Sequence, residues 1–212
     1  MHQVRTPGPD FLFSKVPLLL KVGLTGGIGA GKTIVGRVFA AMGVPVFNAD
    51  ETAKMLMETD PAIHKGVIDI IGNDAFVNGK LNRGYISGVI FKDAAKLEAF
   101  NKLVHPATIQ YGIDWMEAHK NDPYIIKEAA ILFETGSNKQ MDKVIGVTAD
   151  QEERIQRAML RNNQPREKVE AIIAKQMPDA EKMSLCDFVI INDGEHAVIP
   201  QVLAIHRVLM RE

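Results

Sequence analysis

Apolar positions along the chain follow two spacings. Continuous apolar runs of strand length occupy residues 18–25, 44–48, 124–130, 144–148 and 188–192, and such short runs bounded by turn residues mark strands buried on both faces. After the first run, Val35, Val38, Phe39 and Met42 recur at i, i+3, i+4 and i+7, the stripe of an amphipathic helix that Gly43 closes, with Pro45 just beyond. Five buried strands alternating with helices predict an α/β fold: a three-layer, doubly wound sheet of about five parallel strands.

Two stretches interrupt that alternation. From 60 to 121 the spacing is helical and no run reaches the length of a core strand. Asp60-Pro61 is a cap with proline at the first helical position, Ile63, Val67 and Ile70 follow, and Gly72 stops the helix. Asn78-Gly79 predicts a tight turn in a small hairpin. A helix beginning at Asn82 or Arg83 runs through Ile86 and Ile90, and Asp93 caps another that carries Leu97, Phe100, Leu103 and Val104. His105-Pro106 is expected to break it, leaving Ile109, Ile113 and Met116 on a separate last helix. After the fourth strand, Arg154, Arg157 and Arg161 at i, i+3 and i+7 share one helical face, and Pro165 starts a second helix with Val169, Ile172 and Ile173. The expected plan is one domain over 18–212. Its core spans about 18–59, 122–150 and 184–212, with an inserted helical lobe at about 60–121 and a helical lid at about 151–183. A flexible extension is expected at 1–17.

Composition narrows the function classes. With 212 residues and 46% hydrophobic content the chain can bury a sizeable core. A net charge of −1 gives no electrostatic case for nucleic acid or a membrane surface as partner, and no run approaches the roughly 18 apolar residues of a membrane span. Only Phe11, Leu12 and Phe13 stand together near the N-terminus, too few for the apolar region of a secretory signal. A single cysteine, Cys186, cannot form an internal disulfide, which fits a reducing, cytoplasmic setting. No repeat or heptad speaks to oligomeric state.

The chemistry enters between the first strand and the first helix. Gly26, Gly27, Ile28, Gly29, Ala30, Gly31, Lys32 and Thr33 fit G-x-x-x-x-G-K-[ST] in the required strand, loop and helix order. Glycines let successive backbone N–H groups turn inward as an anion nest, and the helix adds its positive end. Lys32 would reach the β- and γ-phosphates of a nucleoside triphosphate, and the Thr33 hydroxyl would face a Mg²⁺ bridging them. Asp50 lies just past the second strand, at the sheet edge where α/β proteins bind ligands; it could equally cap the helix over 52–58. From Arg154 to Lys168 five basic residues meet one acid, Glu167. Beside a phosphate loop, an arginine face can stabilise the charge of phosphoryl transfer.

Taken together, these residues resemble the dephospho-coenzyme A kinase family of P-loop kinases, from about Leu20 to about Ile205. Besides the loop, the resemblance rests on Asn48-Ala49-Asp50, Leu81-x-Arg83, Val89-Ile90-Phe91, Leu103-Val104-His105-Pro106, Ile131-Leu132-Phe133-Glu134, Asp142, Arg157, Arg161, and Asp187 to Asn192 with Gly194. It implies transfer of the γ-phosphoryl of ATP, with Mg²⁺, to the ribose 3′-hydroxyl of dephospho-CoA, the last step of coenzyme A biosynthesis. By the same resemblance Asp50 takes the hydroxyl proton and, with Arg83, His105 and Glu134, binds the acceptor. Lys32, Arg157 and Arg161 meet the phosphates, and Asn192 lies near the adenine. Asn48 departs from the Asp-Ala-Asp usual in the family, Ala130 stands where proline is common, and Thr33-Ile34 replaces Ser-Thr. Two other readings stay open: a different small-molecule kinase of this fold, and a GTPase-like switch. The switch would need D-x-x-G, which Asp69-Ile70-Ile71-Gly72 matches, and N-K-x-D, which Asn138-Lys139-Gln140-Met141 fails at its last position.

Overall fold

A computed structural model describes residues 19–90 and 92–211. The extension expected at 1–17, and Phe91 of the Val89-Ile90-Phe91 segment, lie outside them. Five parallel strands form the sheet in the order β2, β5, β1, β6, β7: β1 (Leu20–Thr25), β2 (Val46–Asn48), β5 (Tyr124–Glu128), β6 (Lys143–Thr148) and β7 (Phe188–Ile191). Their pairing is parallel throughout, so every strand ends at the same edge.

Alternation along the strands sorts residues between the two faces. Val22 and Leu24 of β1 and Ile145 and Val147 of β6 join one core cluster with Val35 and Phe39 of α1 (Lys32–Ala41) and Val202 and Ile205 of α9 (Val198–Leu209). Gly23 and Gly146, the residues between them, look the other way, toward Leu132 and toward Met183 of α8 (Asp179–Ser184). A Cβ on Gly146 would lie 2.6 Å from the Met183 sulfur, so glycine there lets α8 close onto the sheet. Helices therefore cover both faces, as the apolar runs required.

The 60–121 stretch and the helix before it build a separate core. Met57 of α2 (Ala49–Thr59), Ile63, Val67 and Ile71 of α3 (Pro61–Ile71), Ile86 of α4 (Arg83–Ile90) and Val104 of α5 (Ala94–Ala118) pack together. Asp60 and Asp93 cap α3 and α5 as expected. The hairpin is present as β3 (Phe76–Val77) and β4 (Lys80–Leu81), and Asn78 and Gly79 both take positive φ, the requirement of a type I′ turn.

One expectation fails here: His105-Pro106 does not break the helix. Pro106 sits inside the continuous 25-residue α5. An interior proline costs about 3 kcal/mol, but α5 is held against both α2 and α3, and packing outweighs that local cost. Farther along, Gly112 lets Phe47 of β2 approach, and Phe47 meets Trp115 at a centroid distance of 5.4 Å. This contact moors the helical insert to the sheet edge.

After β6 come α6 (Gln151–Asn162) and α7 (Arg166–Ile173), followed by α8, a short helix that periodicity alone does not separate. Ile155, Ala158 and Val169 form a small core joined by Ile28 of the glycine loop. The arginine helix is thus docked on the loop by apolar contact as well as by charge.

Candidate active site

The loop between β1 and α1 opens at the carboxyl edge of the sheet. Gly31 stands at the N-cap of α1 with a left-handed backbone and no capping side chain, so the first amides of the helix are left for an anion. Gly29 and Gly31 both have positive φ, at 78° and 96°. Space is the stricter demand: a Cβ on Gly29 would lie 2.0 Å from the Arg154 carbonyl oxygen, and one on Gly31 2.1 Å from Asn192 Nδ2.

Lys32 curls over this loop and donates to the carbonyls of Gly26 and Gly27 at 2.8 and 3.1 Å. Burial pushes its ammonium down to about 8; the Glu128 carboxylate opposes the shift, while Lys182, Arg161 and Arg154 reinforce it. Four cations thus lie near Glu128, two of them already paired, Arg154 with Asp179 and Lys182 with Glu134; cations grouped at the mouth of a glycine loop complement a polyphosphate.

Strand register supplies that acid. Asn48 of β2 and Leu24 of β1 are both level with Glu128, the last residue of β5 between them. Glu128 accepts from the Thr33 hydroxyl at 3.2 Å and from Asn48 Nδ2 at 2.9 Å. Asn48 also caps α2, its Oδ1 accepting from the Glu51 N–H at 3.0 Å. The capping role open to Asp50 therefore belongs to Asn48. Asp50 is exposed in the first turn of α2, at the same sheet edge as the loop.

The arginine face divides its work. Arg154, only 4% exposed, pairs with Asp179 at 2.6 Å and donates from Nε to the Ile28 carbonyl at 3.3 Å. Thr148, at the end of β6, donates to the same Asp179. Arg157 donates to the Asn192 carbonyl at 2.6 Å and pairs with Glu153 at 3.0 Å, while Asn192 Nδ2 donates to the Ala30 carbonyl at 2.9 Å. Arg161 is exposed on the same helix. From the connection between α7 and α8, Gln176 Oε1 accepts from the Ile28 N–H at 3.0 Å. A cavity of about 310 Å³ lies here, with Arg154, Gln176 and Asp179 in its wall.

The remaining residues expected from the sequence lie elsewhere. Glu134 accepts from the Met177 N–H and from the fully buried Lys182, both at 2.9 Å, and Lys182 also donates to the Ala130 carbonyl at 3.0 Å. Burial works against the charge of Glu134, yet Lys182 and the Met177 amide hold its carboxyl below the usual range. Arg83 opens α4 and His105 lies midway along α5; both are exposed on the helical insert. His105 lines a hollow of about 440 Å³ with Leu97, Lys102 and Pro106. The structure thus gathers Lys32, Thr33, Arg157 and Asn192 around the loop with Asp50 at the same edge, and leaves Arg83 and His105 on the insert.

Sequence reasoning placed Arg154 on the arginine face without its partners Asp179 and Ile28, and missed Glu128, Gln176 and Lys182. Glu128 carried a usable signal, an acid at the carboxyl end of an apolar strand, the criterion that drew attention to Asp50.

Among the described residues no group of three or more His, Cys, Asp or Glu side chains could hold a metal. Mg²⁺ needs no such cage, since it is usually bound by one or two protein oxygens together with substrate phosphates and water. The Thr33 hydroxyl and the Glu128 carboxylate form a donor set of that kind.

A phosphate loop on the central strand of a parallel sheet, an acid at the neighbouring strand end and arginines on a following helix define a P-loop kinase. Residues 20–197 match the family model described as dephospho-CoA kinase. A dephospho-CoA kinase of Bacteroides fragilis is 39% identical over 187 residues, 88% of this chain and 91% of that one. A Porphyromonas gingivalis enzyme of the same name is 32% identical over 188 residues, 88% and 93% of the two chains. This chain belongs to the dephospho-CoA kinase family. A Thermus thermophilus crystal structure superposes with a TM-score of 0.72 at 27% identity, covering 92% of this chain and 98% of the other. The dephospho-CoA kinase of Campylobacter jejuni gives 0.65 at 18% identity, over 90% and 97%, a likeness of fold.

The switch reading loses its context. Asp69 to Gly72 is the end of α3, where Asp69 pairs with Lys65 at 2.6 Å, and Asn138-Lys139 lies in a short 3-10 turn.

Proposed function

We propose that this chain transfers the γ-phosphoryl of ATP to the ribose 3′-hydroxyl of dephospho-CoA, giving coenzyme A and ADP. The observation that carries the reading is that the phosphate loop and Asp50 open on one sheet edge in a chain of this family.

The N–H groups of the loop and of the first turn of α1 cradle the phosphates. Lys32 exchanges its carbonyl partners Gly26 and Gly27 for β- and γ-oxygens. Asp50, exposed and carrying no apolar cover, accepts the proton of the attacking hydroxyl. Arg157 and Arg161 stabilise charge on the transferred group, and Asn192 lies beside the base. Mg²⁺, when bound with the nucleotide, would supply positive charge against the phosphates, and Thr33, with Glu128 beside it, would hold it. Arg83, His105 and Glu134 are assigned to the acceptor, the first two through the helical insert. Closure of insert and arginine helices over both substrates excludes water, so that the acceptor hydroxyl is phosphorylated in preference to hydrolysis.

The cytoplasm suits this chemistry. No described helix is long and apolar enough to cross a membrane, and burial pushes the Cys186 thiol up to about 11, an unreactive state at neutral pH.

The test is ADP release from ATP and Mg²⁺ with and without dephospho-CoA. Release that depends on the acceptor, with coenzyme A as product, is expected; equal rates would overturn the reading.

A further inference from the structure

We propose that Glu58 is a positioning residue for the acceptor: from the last turn of α2 it fixes the segment that carries Arg83, and thereby sets how far Arg83 stands from Asp50. The inference deepens the proposed kinase reading and rests on its assignment of Arg83 to the acceptor.

One helix carries a chemical group at each end. Asp50 lies in the first turn of α2 and Glu58 in the last, about 12 Å of helix apart, and a spacing of i, i+8 places both on one side. Asn48 caps this helix at the sheet edge. Its Thr52 and Met57 are buried, and α3 and α5 pack along it, so its two ends keep a fixed separation.

Both carboxylate oxygens of Glu58 reach the hairpin. Oε1 accepts from the Leu81 N–H at 3.1 Å and Oε2 from Lys80 Nζ at 2.8 Å. Leu81 ends β4 two residues before Arg83, the first residue of α4. A hairpin with strands of two residues is too short to hold itself in place. With Leu81 packed on the core of the insert, the bond from Glu58 therefore fixes where β4 passes the chain to α4. Lys80, the Leu81 N–H and the nearby charge of Arg83 hold the Glu58 carboxyl below its usual range, so the tether is ionised at neutral pH. Arg83 is exposed and makes no hydrogen bond or ion pair to another described residue, which leaves its guanidinium for a ligand.

The acceptor explains why such spacing matters. Its reacting hydroxyl and its diphosphate flank one ribose, so the group that takes the proton and the cation that meets the diphosphate must stand at a set distance. Asp50 at one end of α2 and Arg83 tied to the other meet that demand. Lys80 has no share in it: its side chain is 78% exposed, and a pair of that kind contributes little.

The experiment is steady-state kinetics with dephospho-CoA varied at saturating ATP, and with ATP varied at saturating dephospho-CoA. Glu58→Ala is expected to raise the acceptor KM about tenfold, the scale of one misaligned hydrogen bond to a charged group. The kcat and the KM for ATP should hold within about twofold. Glu58→Gln keeps an oxygen for the Leu81 N–H and should lie near the unaltered protein, as should Lys80→Ala. Arg83→Ala should itself raise the acceptor KM, and adding Glu58→Ala should raise it no further, because the tether then has no cation to place. A parallel rise in the KM for ATP would overturn the proposal, as would a full additional effect of Glu58→Ala in the Arg83→Ala protein; either would mark Glu58 as a general brace of the insert. Glu58→Gln as impaired as Glu58→Ala would overturn the tether, and an unchanged acceptor KM in Arg83→Ala would overturn its premise. ADP release by the unaltered protein that does not depend on dephospho-CoA would instead refute the kinase reading.

Discussion

Lys182 joins the helical segment over the phosphate loop to the end of the sheet. Its ammonium is fully buried and satisfied by the Ala130 carbonyl and Glu134, whose other partner is the Met177 N–H. Replacing it in Lys182→Met keeps the stem's volume but leaves the Glu134 carboxylate without its cation. Removing one partner of a buried pair costs about 3–5 kcal/mol. The Glu134 side chain is 21% exposed and can recover some hydration, which places the expected loss near the lower limit, at ~3 kcal/mol. For a chain of this size that lowers the melting temperature by roughly 6–12 °C. Adding Glu134→Gln removes the stranded charge and keeps an acceptor for Met177, so the double variant should regain at least ~1 kcal/mol. Urea unfolding of wild type, both singles and the double, followed by circular dichroism, measures this coupling. The Glu134 carboxyl is depressed in the folded state, so its contribution is present above its unfolded value and lost as pH falls through the folded one. The gap between wild type and Lys182→Met should accordingly shrink in acid below the ordinary carboxylate range. Additive singles, or a loss under ~1 kcal/mol, would refute the account of Lys182 as a paired buried cation.

Three further outcomes follow from the site. Asp50→Asn should lower turnover by roughly 10² to 10⁴ while ADP still binds, because proton transfer is lost and the nest remains; unchanged turnover in a steady-state assay would remove Asp50 from the chemistry. Lys32 titrates near about 8 in the ligand-free protein and must be charged to meet phosphate, so metal-free ADP affinity should fall about tenfold from pH 7 to pH 9, and calorimetry should register proton uptake. Its folded value lies below the unfolded one, so ligand-free stability should rise with pH from about 8 toward the ordinary lysine value of 10.5. Gly31→Ala forces a side chain into a left-handed backbone and against Asn192 Nδ2; loss of ADP binding by more than about tenfold in a fluorescence titration is expected.

Much of the fold was legible because burial on both faces leaves a plain mark. All five strands were readable as apolar runs, and the caps at Asp60 and Asp93 and the turn at Asn78-Gly79 follow from local hydrogen bonding and backbone preference. Pro106 was misread because its cost is local, whereas the contacts that overrule it come from α2 and α3. The loop was equally plain, its glycines being required by close neighbours. Those neighbours were not: Arg154 meets Gly29 across 125 residues of chain, and Lys182 meets Glu134 only once α8 has packed on β6.

The same contrast explains how the site is assembled. The nest needs only the residues from Gly26 to Thr33, but its setting depends on strand register, which aligns Asn48, Glu128 and Leu24 across three strands. One residue of slip in β5 would turn Glu128 to the opposite face of the sheet and remove the carboxylate from Thr33. Lys127, which would come into its place, is a cation whose charge is already disfavoured by burial and by Lys21. The register of β5 therefore fixes more than the sheet's packing. With Ile125 and Ile126 seated on its two covered faces, both fully buried, it holds an acid, an amide and a hydroxyl within hydrogen-bond reach at the mouth of the loop.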